Sequence, residues 1–371
     1  MNKKILIVHD WLDKKRGAEN ALEAIFEIYP DADLFTLVDF SDKEKLPFLK
    51  ETKITTSFIQ RLPFAKKHFR KYLPLFPIAI EQFDPSGYDL VISSSFCVAK
   101  GIIPKPHQTH ICYMHSPIRY AWDLQSSYLK DSGLKGGIKG IIAKYTLHKL
   151  RIWDVISTAR TDYFVANSNF IKNRIQKCYN CSAQVIFPPV ETDMYKPQTK
   201  VKKQDYYFTI CRHVCYKKLD IIVKAFNEMP DKKLYIAGSG PETKKLEKLI
   251  TSKNIVILGR IKNIDKIRYF QEAKAFLYAA IEDFGIVMGE ALASGTPVIA
   301  YGDGGALDIV NDKNGLTYSE QTAKSLKNGV LEFEKKTYKA DDCIKSVERF
   351  SKDNFKKNFR KTIEECLTKK P

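Results

Sequence analysis

Residues 275–300, with the sequence AFLYAAIEDFGIVMGEALASGTPVIA, decide the fold. Ala275–Tyr278 predicts a buried strand, and Gly285–Ser294 predicts a helix of small and apolar residues. Pro297–Ala300 opens another strand directly afterwards. Strand, helix and strand in this order form a β-α-β unit, whose two strands are parallel.

The same alternation of strand and helix extends upstream from this stretch. It predicts the strands Tyr206–Cys211, Lys233–Ala237 and Ile255–Leu258 and the helices Leu219–Met229, Glu242–Ser252 and Asp265–Glu272. The first half of the chain repeats the pattern less regularly, with a helix at Ala18–Ile28 and strands at Lys4–His9, Tyr88–Ser93, Gln108–Met114, Tyr163–Asn167 and Ala183–Ile186. Both halves therefore predict α/β, doubly wound, Rossmann-like sheets.

A linker separates the two halves. Residues 188–204 combine prolines with a run of charges and lack apolar periodicity. We expect an N-terminal domain at 1–190, a C-terminal domain at 191–350, and a basic helix at 351–371 that crosses back to the first domain. One stripe of that helix is apolar: Phe355, Phe359, Ile363 and Cys366. Tandem domains of this kind predict a ligand cleft between them.

Composition limits the class of protein. The 371 residues are 44% hydrophobic, which is typical of globular domains, and they carry a net charge of +18, which indicates an anionic partner. Nucleic acid, nucleotide phosphate and anionic lipid all satisfy that charge, although no RNA- or DNA-reading motif is present. With neither a secretory signal nor a run of ~20 apolar residues, we expect a cytoplasmic protein, soluble or peripheral on a membrane.

The cysteines do not predict a metal site. Eight cysteines in a chain of this length suit a reducing compartment rather than a disulfide scaffold. Cys178 and Cys181 pair at zinc-like spacing, but Cys211 and Cys215 have the wrong spacing for a zinc knuckle. We therefore expect no metal and no cofactor.

The strongest candidate site is the acidic pair Glu282 and Glu290. Glu282 follows a strand, and Gly285 allows a tight turn into a helix that holds Glu290. The start of a helix presents unpaired N–H groups that suit a phosphate, and both carboxylates can accept hydrogen bonds from hydroxyls. The alternative is two surface acids, with Glu282 stabilising the helix start, but the Phe-Gly turn favours a binding site. The remaining ligand-binding candidates of this turn are Asp283, Phe284, Ile286 and Val287.

Other loops at the carboxyl ends of strands supply further candidates. Arg212 and Lys217 follow the first strand of the second domain and can neutralise a departing diphosphate. Gly238 and Ile261 follow the next two strands and can present backbone groups to a nucleotide. A basic loop and ordinary glycine turns are the alternatives, and the position beside the acidic pair favours the functional interpretation.

The first domain contributes a second set of candidates. The first strand-to-helix turn contains Arg16, Gly17 and Ala18. His115 stands directly after a strand, and although a lone histidine is more often structural, its position favours a role at the ligand. A polar and aromatic cluster follows it: Arg119, Tyr120, Trp122 and Asp123.

These motifs together resemble glycosyltransferase family 4, which has the GT-B fold. The residues that carry the resemblance are the Glu282–Glu290 segment, Arg212 with Lys217, and Gly302-Asp-Gly-Gly-Ala306. First-domain motifs look like the mannosyltransferase B subgroup of bacterial O-antigen (lipopolysaccharide) synthesis: His9-Asp-Trp-Leu12, Arg16-Gly-Ala-Glu19, residues 55–63, residues 87–95 and residues 115–123.

The resemblance implies a role for each candidate. Glu282 would contact hydroxyls of the transferred sugar, Glu290 the ribose, and Arg212 with Lys217 the diphosphate. His115 would hydrogen-bond the sugar, Gly17 would let the backbone approach the donor, and Asp10 would stand on the acceptor side with the 119–123 cluster. The family retains anomeric configuration, needs no divalent metal and uses no enzyme nucleophile. Two positions depart from its pattern, Ala18 and Cys211, where the family has glycine.

The expected reaction is transfer of mannose from GDP-mannose to a polyprenyl-diphosphate-linked glycan at the inner membrane face. A UDP- or dTDP-sugar donor is the first alternative, and a basic nucleic-acid-binding protein is a remote one. Residues 61–76 interleave basic residues with Leu and Phe, as a segment bound to anionic lipid would, although a basic segment packed on the domain fits equally. The acceptor sugar, the linkage and the oligomeric state have no sequence signal.

Overall fold

The computed structural model describes residues 3–15, 17–199 and 201–368. The chain forms two compact units: Met1–Pro188 with Phe355–Pro371, and Pro189–Asn354 between them in sequence. The expected boundaries were 190/191 and 350/351. The difference has a local cause, because Val190 and Ser351 form a β-bridge that holds both junction segments in the second unit.

The first unit is built on a seven-stranded parallel sheet with the order β3-β2-β1-β4-β5-β6-β7. Its strands are β1 Ile5–His9, β2 Asp33–Thr36, β3 Ile54–Thr56, β4 Leu90–Ser95, β5 Thr109–Met114, β6 Tyr163–Ala166 and β7 Ala183–Val185. Its helices up to residue 188 are α1 Gly17–Ile28, α2 Ala65–His68, α3 Phe76–Glu81, α4 Gln125–Asp131, α5 Gly137–Ile156 and α6 Asn169–Tyr179.

The second unit is built on a six-stranded parallel sheet with the order β10-β9-β8-β11-β12-β13. Its strands are β8 Tyr206–Ile210, β9 Lys233–Ala237, β10 Ile255–Gly259, β11 Ala275–Tyr278, β12 Val298–Tyr301 and β13 Gly315–Tyr318. Its helices are α7 Thr192–Tyr195, α8 Leu219–Asn227, α9 Thr243–Leu249, α10 Asn263–Glu272, α11 Ile286–Ala293, α12 Ala306–Ile309, α13 Ala323–Phe333 and α14 Ala340–Ser346.

The last helix, α15 Lys352–Thr368, completes the core of the first unit. Phe355, Phe359 and Ile363 are buried among residues of β1, β4 and β5, and both phenylalanine rings pack edge-on against Tyr113. Burial of three large side chains contributes roughly 5–9 kcal/mol before the entropy of ordering the helix is counted. The apolar stripe predicted from the sequence is therefore confirmed as core.

Each sheet reverses its strand order at one place, between β1 and β4 in the first unit and between β8 and β11 in the second. Loops that leave neighbouring strands in opposite directions open a crevice at the carboxyl ends, where ligands bind in this class of sheet. We therefore expect ligand-binding residues in the loops after β1, β4, β8 and β11.

Two sheets of this kind confirm the α/β, doubly wound expectation. In the part of the chain that the structure describes, no helix combines the length and apolar character needed to cross a membrane.

Candidate functional site

Lys217 and Glu282 meet across the reversal point of the second sheet. Lys217 closes a short turn after β8, and Glu282 follows β11. The Lys217 Nζ donates to Glu282 Oε1 at 2.6 Å and to the Tyr278 hydroxyl at 2.8 Å. Two residues that sequence reasoning assigned to phosphate and to sugar thus lie in direct contact.

The surroundings of this pair keep the lysine charged. Burial alone would lower the pKa of Lys217, but the nearby Tyr278 and Glu282 outweigh it and raise that pKa above its ordinary value. Burial raises the pKa of Tyr278, so its hydroxyl stays protonated. The site therefore presents a charged ammonium group, held by two hydrogen bonds, at the carboxyl ends of the strands.

Gly285 directly precedes helix α11 and lies in the left-handed region, with φ of 95°. A Cβ at this position would lie 2.3 Å from Met288 Cε, so the turn combines a positive φ with a close approach. The first N–H groups of a helix have no partner within the helix, and the dipole there favours an anion. α11 thus starts where the sequence placed it, beside Glu282.

The glycine run 302–306 packs against the backbone of the Glu282 loop. The Gly305 N–H donates to the Glu282 carbonyl at 2.8 Å, and a Cβ on Gly305 would lie 2.2 Å from the Phe284 carbonyl oxygen. A Cβ on Gly304 would lie 2.6 Å from the Glu282 carbonyl oxygen. These glycines therefore fix the loop that carries Glu282, Asp283 and Phe284.

Glu290 has an arrangement parallel to that of Glu282. On α11, its Oε2 accepts from Lys266 Nζ at 2.6 Å, and the same Nζ donates to the Tyr195 hydroxyl at 2.8 Å. Burial raises the pKa of Tyr195, with Glu290 adding to the effect. Each acid of the predicted pair is thus held by one lysine that also contacts a tyrosine.

Both acids keep capacity for a ligand. An ionised carboxylate has about four lone-pair sites, and each lysine occupies only one oxygen. The side chains are 16% exposed at Glu282 and 15% at Glu290. The lysines therefore orient the two carboxylates and leave acceptor sites that hydroxyl groups can use.

The loops after β8, β9 and β10 converge beside this site. The Gly238 N–H donates to the Gly259 carbonyl at 2.7 Å, and a Cβ on Gly238 would lie 1.9 Å from the Cys211 carbonyl oxygen. Arg212 in the first of these loops is exposed, and Ile261 in the third is half-buried. A glycine at 238, with φ of 109°, is required for this close approach.

In the first unit, His9, Ser94 and His115 form a chain of contacts at the reversal point between β1 and β4. Ser94 Oγ lies 2.8 Å from His115 Nε2 and 3.1 Å from His9 Nδ1. His9 Nε2 lies 3.8 Å from Glu19 Oε1. These polar side chains are all buried at the carboxyl end of the sheet, where ligands bind in this class of sheet.

His115 is neutral in this setting. Burial lowers its pKa to about 3, and His9 adds to the shift. A neutral imidazole carries one N–H donor and one acceptor nitrogen. Since Ser94 occupies Nε2, and no hydrogen bond to Nδ1 occurs within the described residues, Nδ1 is the atom available to a ligand hydroxyl.

Asp10 organises the loop after β4. Its two carboxylate oxygens accept the backbone N–H groups of residues 96, 97, 98 and 99 at 2.5–2.9 Å, and the side chain is fully buried. Burial raises the pKa of Asp10 above its ordinary value, although the backbone N–H groups counteract the shift. Its contribution to an acceptor is therefore indirect, through the position of residues 96–99.

The 119–123 cluster disperses rather than converging on one point. The Trp122 indole N–H donates to Asp154 Oδ2 at 2.7 Å, and Tyr120 OH lies 3.0 Å from Cys97 Sγ. Asp123 is exposed and pairs with Arg174, while Arg119 is half-buried. Sequence proximity to His115 thus did not bring these side chains together.

Trp122 belongs instead to a buried ionic network. Lys100 Nζ lies 2.8 Å from Asp154 Oδ1, and both side chains are inaccessible to solvent. Asp154 Oδ2 also accepts from the Tyr179 hydroxyl at 2.8 Å. A buried pair with these additional hydrogen bonds holds α5, α6 and the loop after β4 in one arrangement.

Helix α1 begins at Gly17, where the sequence expected the donor-facing turn. Gly17 and Ala18 are half-buried, and Glu19 is buried beside His9. Arg16, which precedes them, lies outside the described residues. The turn therefore stands at the carboxyl end of β1, on the same edge of the sheet as His115.

Sequence reasoning missed the partners of the predicted residues. Tyr195, Lys266 and Tyr278 hold the two acids, and Ser94 joins the two histidines. Tyr195 lies in the linker region and Lys266 in a different helix, so no local motif connects either of them to Glu290. Within residues 3–15, 17–199 and 201–368, no group of three or more His, Cys, Asp or Glu side chains is arranged to hold a metal ion.

Comparison with known proteins finds similarity to glycosyltransferases. Residues 191–350 match the family described as glycosyl transferases group 1. An uncharacterized glycosyltransferase of Methanocaldococcus jannaschii, MJ1178, is 30% identical over 207 residues, which are 54% of this chain and 54% of that protein. The alpha-1,3/1,6-mannosyltransferase ALG2 of Yarrowia lipolytica is 26% identical over 278 residues, covering 59% of this chain and 60% of that protein. The chain thus spans less than two thirds of the length of these relatives.

A solved structure with the same fold covers nearly the whole chain. The structure of Anabaena Alr3699/HepE in complex with UDP has a TM-score of 0.71, covers 98% of this chain and 100% of its own, and is 18% identical. That likeness establishes the fold for both units. Residues 191–350 therefore match the family model for glycosyl transferases group 1, within a chain that has the two-unit GT-B fold.

Proposed function

We propose that the chain is a retaining, metal-independent hexosyltransferase of glycosyltransferase family 4. The observation that carries the proposal is the pair of lysine-held acids, Glu282 and Glu290, on either side of the start of α11. One carboxylate for the sugar, one for the ribose and an anion-binding helix end between them match the parts of a nucleotide sugar.

In the proposed reaction the donor diphosphate is bound by the start of α11 and by Arg212 and Lys217. The acceptor hydroxyl attacks the anomeric carbon from the face that the nucleotide leaves. The bond from that carbon to the diphosphate oxygen breaks as the glycosidic bond forms, and the hydroxyl proton passes to the departing phosphate. The cations stabilise the negative charge that develops on the leaving group.

The remaining residues bind and orient the sugar. Glu282 accepts hydrogen bonds from its hydroxyls, aided by backbone N–H groups at residues 284–286, and His115 adds a neutral imidazole contact. Gly17 gives the first-unit backbone access to the donor. No protein nucleophile takes part.

The proposed donor is GDP-mannose. The similarity to a mannosyltransferase supports the sugar, and the resemblance of the first-domain motifs to the mannosyltransferase B subgroup supports the nucleotide. A UDP- or dTDP-sugar is the second candidate, because the structurally similar HepE was solved with UDP. Calorimetry with GDP, UDP and dTDP separates them, and tight binding of UDP without GDP would overturn the choice.

The proposed acceptor is a polyprenyl-diphosphate-linked glycan of O-antigen or another surface polysaccharide, reached at the cytoplasmic face of the inner membrane. The net charge of +18 supports an anionic surface as partner. In the 61–76 segment, however, Ala65, Phe69 and Phe76 are buried and only Phe64 remains as a strongly exposed large apolar residue. That segment therefore offers a membrane mainly its lysines.

Two substitutions test the reaction. Glu282→Gln and Glu290→Gln each remove one charge with little change in shape, and we expect each to lower kcat/KM for the donor by about 10–100-fold, since a hydrogen bond to a charged group contributes roughly 1.5–3 kcal/mol. Glu320→Gln, at an exposed acid on the same unit, is the matched control. Unchanged donor hydrolysis and transfer in both test variants would reject the site, and inversion at the anomeric carbon, read by NMR of the product, would reject retention.

A further inference from the structure

Helix α5 is apolar on the side that faces solvent. Over its 20 residues, Gly140, Leu147, Leu150 and Asp154 point into the first unit. The opposite side carries large exposed residues: Ile138 (78% exposed), Ile141 (68%), Ile142 (58%), Tyr145 (61%), Ile152 (43%) and Ile156 (59%). At 100° per residue all six lie on one face of the helix, about 27 Å long, and the exposed Lys149 stands on the same face between Tyr145 and Ile152.

Such a stripe differs from scattered surface hydrophobics. Single exposed apolar residues are common, whereas several large ones on one face of a helix mark a surface that becomes covered. We call these six residues the outer stripe of α5.

The helix cannot turn to bury the outer stripe. Asp154 on its inner side is paired with the fully buried Lys100 at 2.8 Å. The Trp153 ring lies where a Cβ on Gly101 would stand, and its indole N–H donates to Glu81 Oε1 at 2.7 Å. Rotation of α5 would break these buried contacts, so the outer stripe is a fixed feature of the first unit.

Charge identifies what covers the stripe. Lys135, Lys139, Lys144 and Lys149 are exposed around it, and the helix has a single acid, Asp154, which is buried. Lysine stems lie along apolar surface while their ammonium groups reach outward, as in helices that rest in a lipid interface. A second copy of the chain would bring two sets of lysines together, whereas an anionic bilayer offers them phosphates.

We propose that the outer stripe of α5 is a membrane-docking face that inserts into the surface of a bilayer containing anionic lipid. The apolar side chains enter the boundary between head groups and acyl chains, and the lysines bind the lipid phosphates. This docking face would hold the enzyme at the lipid on which the proposed acceptor is carried. It deepens the proposed function but rests on surface contacts that are independent of donor chemistry.

Flotation of the full chain with vesicles tests the docking face. We expect binding to vesicles of equal parts phosphatidylcholine and phosphatidylglycerol, and little binding to phosphatidylcholine alone. Combined Ile138→Gln, Ile141→Gln and Tyr145→Gln should lower the partition coefficient at least tenfold, and so should combined Lys139→Glu, Lys144→Glu and Lys149→Glu. Ile264→Gln with Leu307→Gln changes two equally exposed apolar residues of the second unit and serves as the matched control.

Several outcomes would overturn the proposal. Binding that survives both α5 variants but is lost with Lys66→Glu and Lys67→Glu would move the docking face to residues 61–76. Concentration-dependent dimers abolished by the glutamine variant, without vesicle binding by the native chain, would assign the stripe to a second copy. Donor hydrolysis measured without vesicles separates the two proposals. If the native chain does not hydrolyse the donor, the proposed reaction is rejected. If the α5 variants hydrolyse it as the native chain does, they are folded.

Discussion

Gly305→Ala tests how closely the glycine run positions the sugar-binding loop. Gly305 has φ of −65° and ψ of −12°, a conformation that alanine adopts without strain, so the substitution acts only through contact. The added Cβ would stand 2.2 Å from the Phe284 carbonyl oxygen, 2.4 Å from its Cα and 2.5 Å from its carbonyl carbon. All three atoms are backbone and cannot move aside as a flexible side chain would.

The size of the effect follows from these distances. Ordinary contact for a Cβ begins at 3.4 Å, so the loop that carries Glu282 and Phe284 has to move by about 1 Å. A displacement of that size at a reacting centre costs about 100-fold in rate. We therefore expect kcat/KM for donor hydrolysis to fall by about 100-fold, with a loss of ~1–3 kcal/mol in the free energy of unfolding from overpacking.

Initial rates over a range of donor concentrations, with urea unfolding of the same samples, measure both effects. Gly302→Ala is the control from the same glycine run, because its Cβ would lie 3.2 Å from the nearest atom, the Tyr318 carbonyl oxygen, and requires a shift of only a few tenths of an ångström. If the Gly305→Ala enzyme keeps a kcat/KM close to that of Gly302→Ala, the glycine run does not position the site.

Three further predictions concern charge and protonation. Lys217→Met should weaken GDP binding by about 10–100-fold in calorimetry, since it removes a charged donor, and unchanged affinity would exclude Lys217 from the diphosphate site. Lys100→Met should lower the free energy of unfolding in urea by about 3–5 kcal/mol by leaving Asp154 buried without its counter-ion, and a loss near zero would refute that role. The pKa of His115 is about 3 in the folded chain against an ordinary 6.5. Between pH 6.5 and about 3 the unfolded chain therefore binds a proton at His115 that the folded chain does not bind. Stability present above pH 6.5 should then decline by about 1.4 kcal/mol per pH unit below it, and His115→Asn should flatten the slope; equal slopes would show that His115 titrates normally.

Five of the six strands of the second unit could be predicted from sequence because they are apolar runs between turn residues, whereas β13, Gly315–Tyr318, was missed. The predicted strands Lys233–Ala237 and Ala275–Tyr278 coincide with β9 and β11. Helix α11 begins at Ile286, directly after the turn predicted at Gly285. Where the signal was weaker, elements were missed. Asp33–Thr36 and Ile54–Thr56, which form β2 and β3, are three or four residues long and include polar positions. Their pairing with β1, rather than their own sequence, makes them strands.

The candidate site could likewise be predicted from the sequence only in part. Glu282, Glu290 and Lys217 lie in recognisable local motifs, so they could be singled out from the sequence. Their partners could not, because contacts such as Lys266 with Glu290 depend on how α10 packs beside α11. Asp10 illustrates the converse, since its motif suggested a ligand-facing acid and its carboxylate binds four backbone N–H groups instead.

The return of α15 to the first unit has a consequence for biosynthesis. The core between β1, β4 and β5 contains Phe355, Phe359 and Ile363, so this core is incomplete until these residues have left the ribosome. The second unit is contiguous in sequence and can reach its final packing earlier. The first unit, whose synthesis begins before that of the second, therefore completes its core later. Until then the nascent first unit exposes apolar surface that chaperones can recognise.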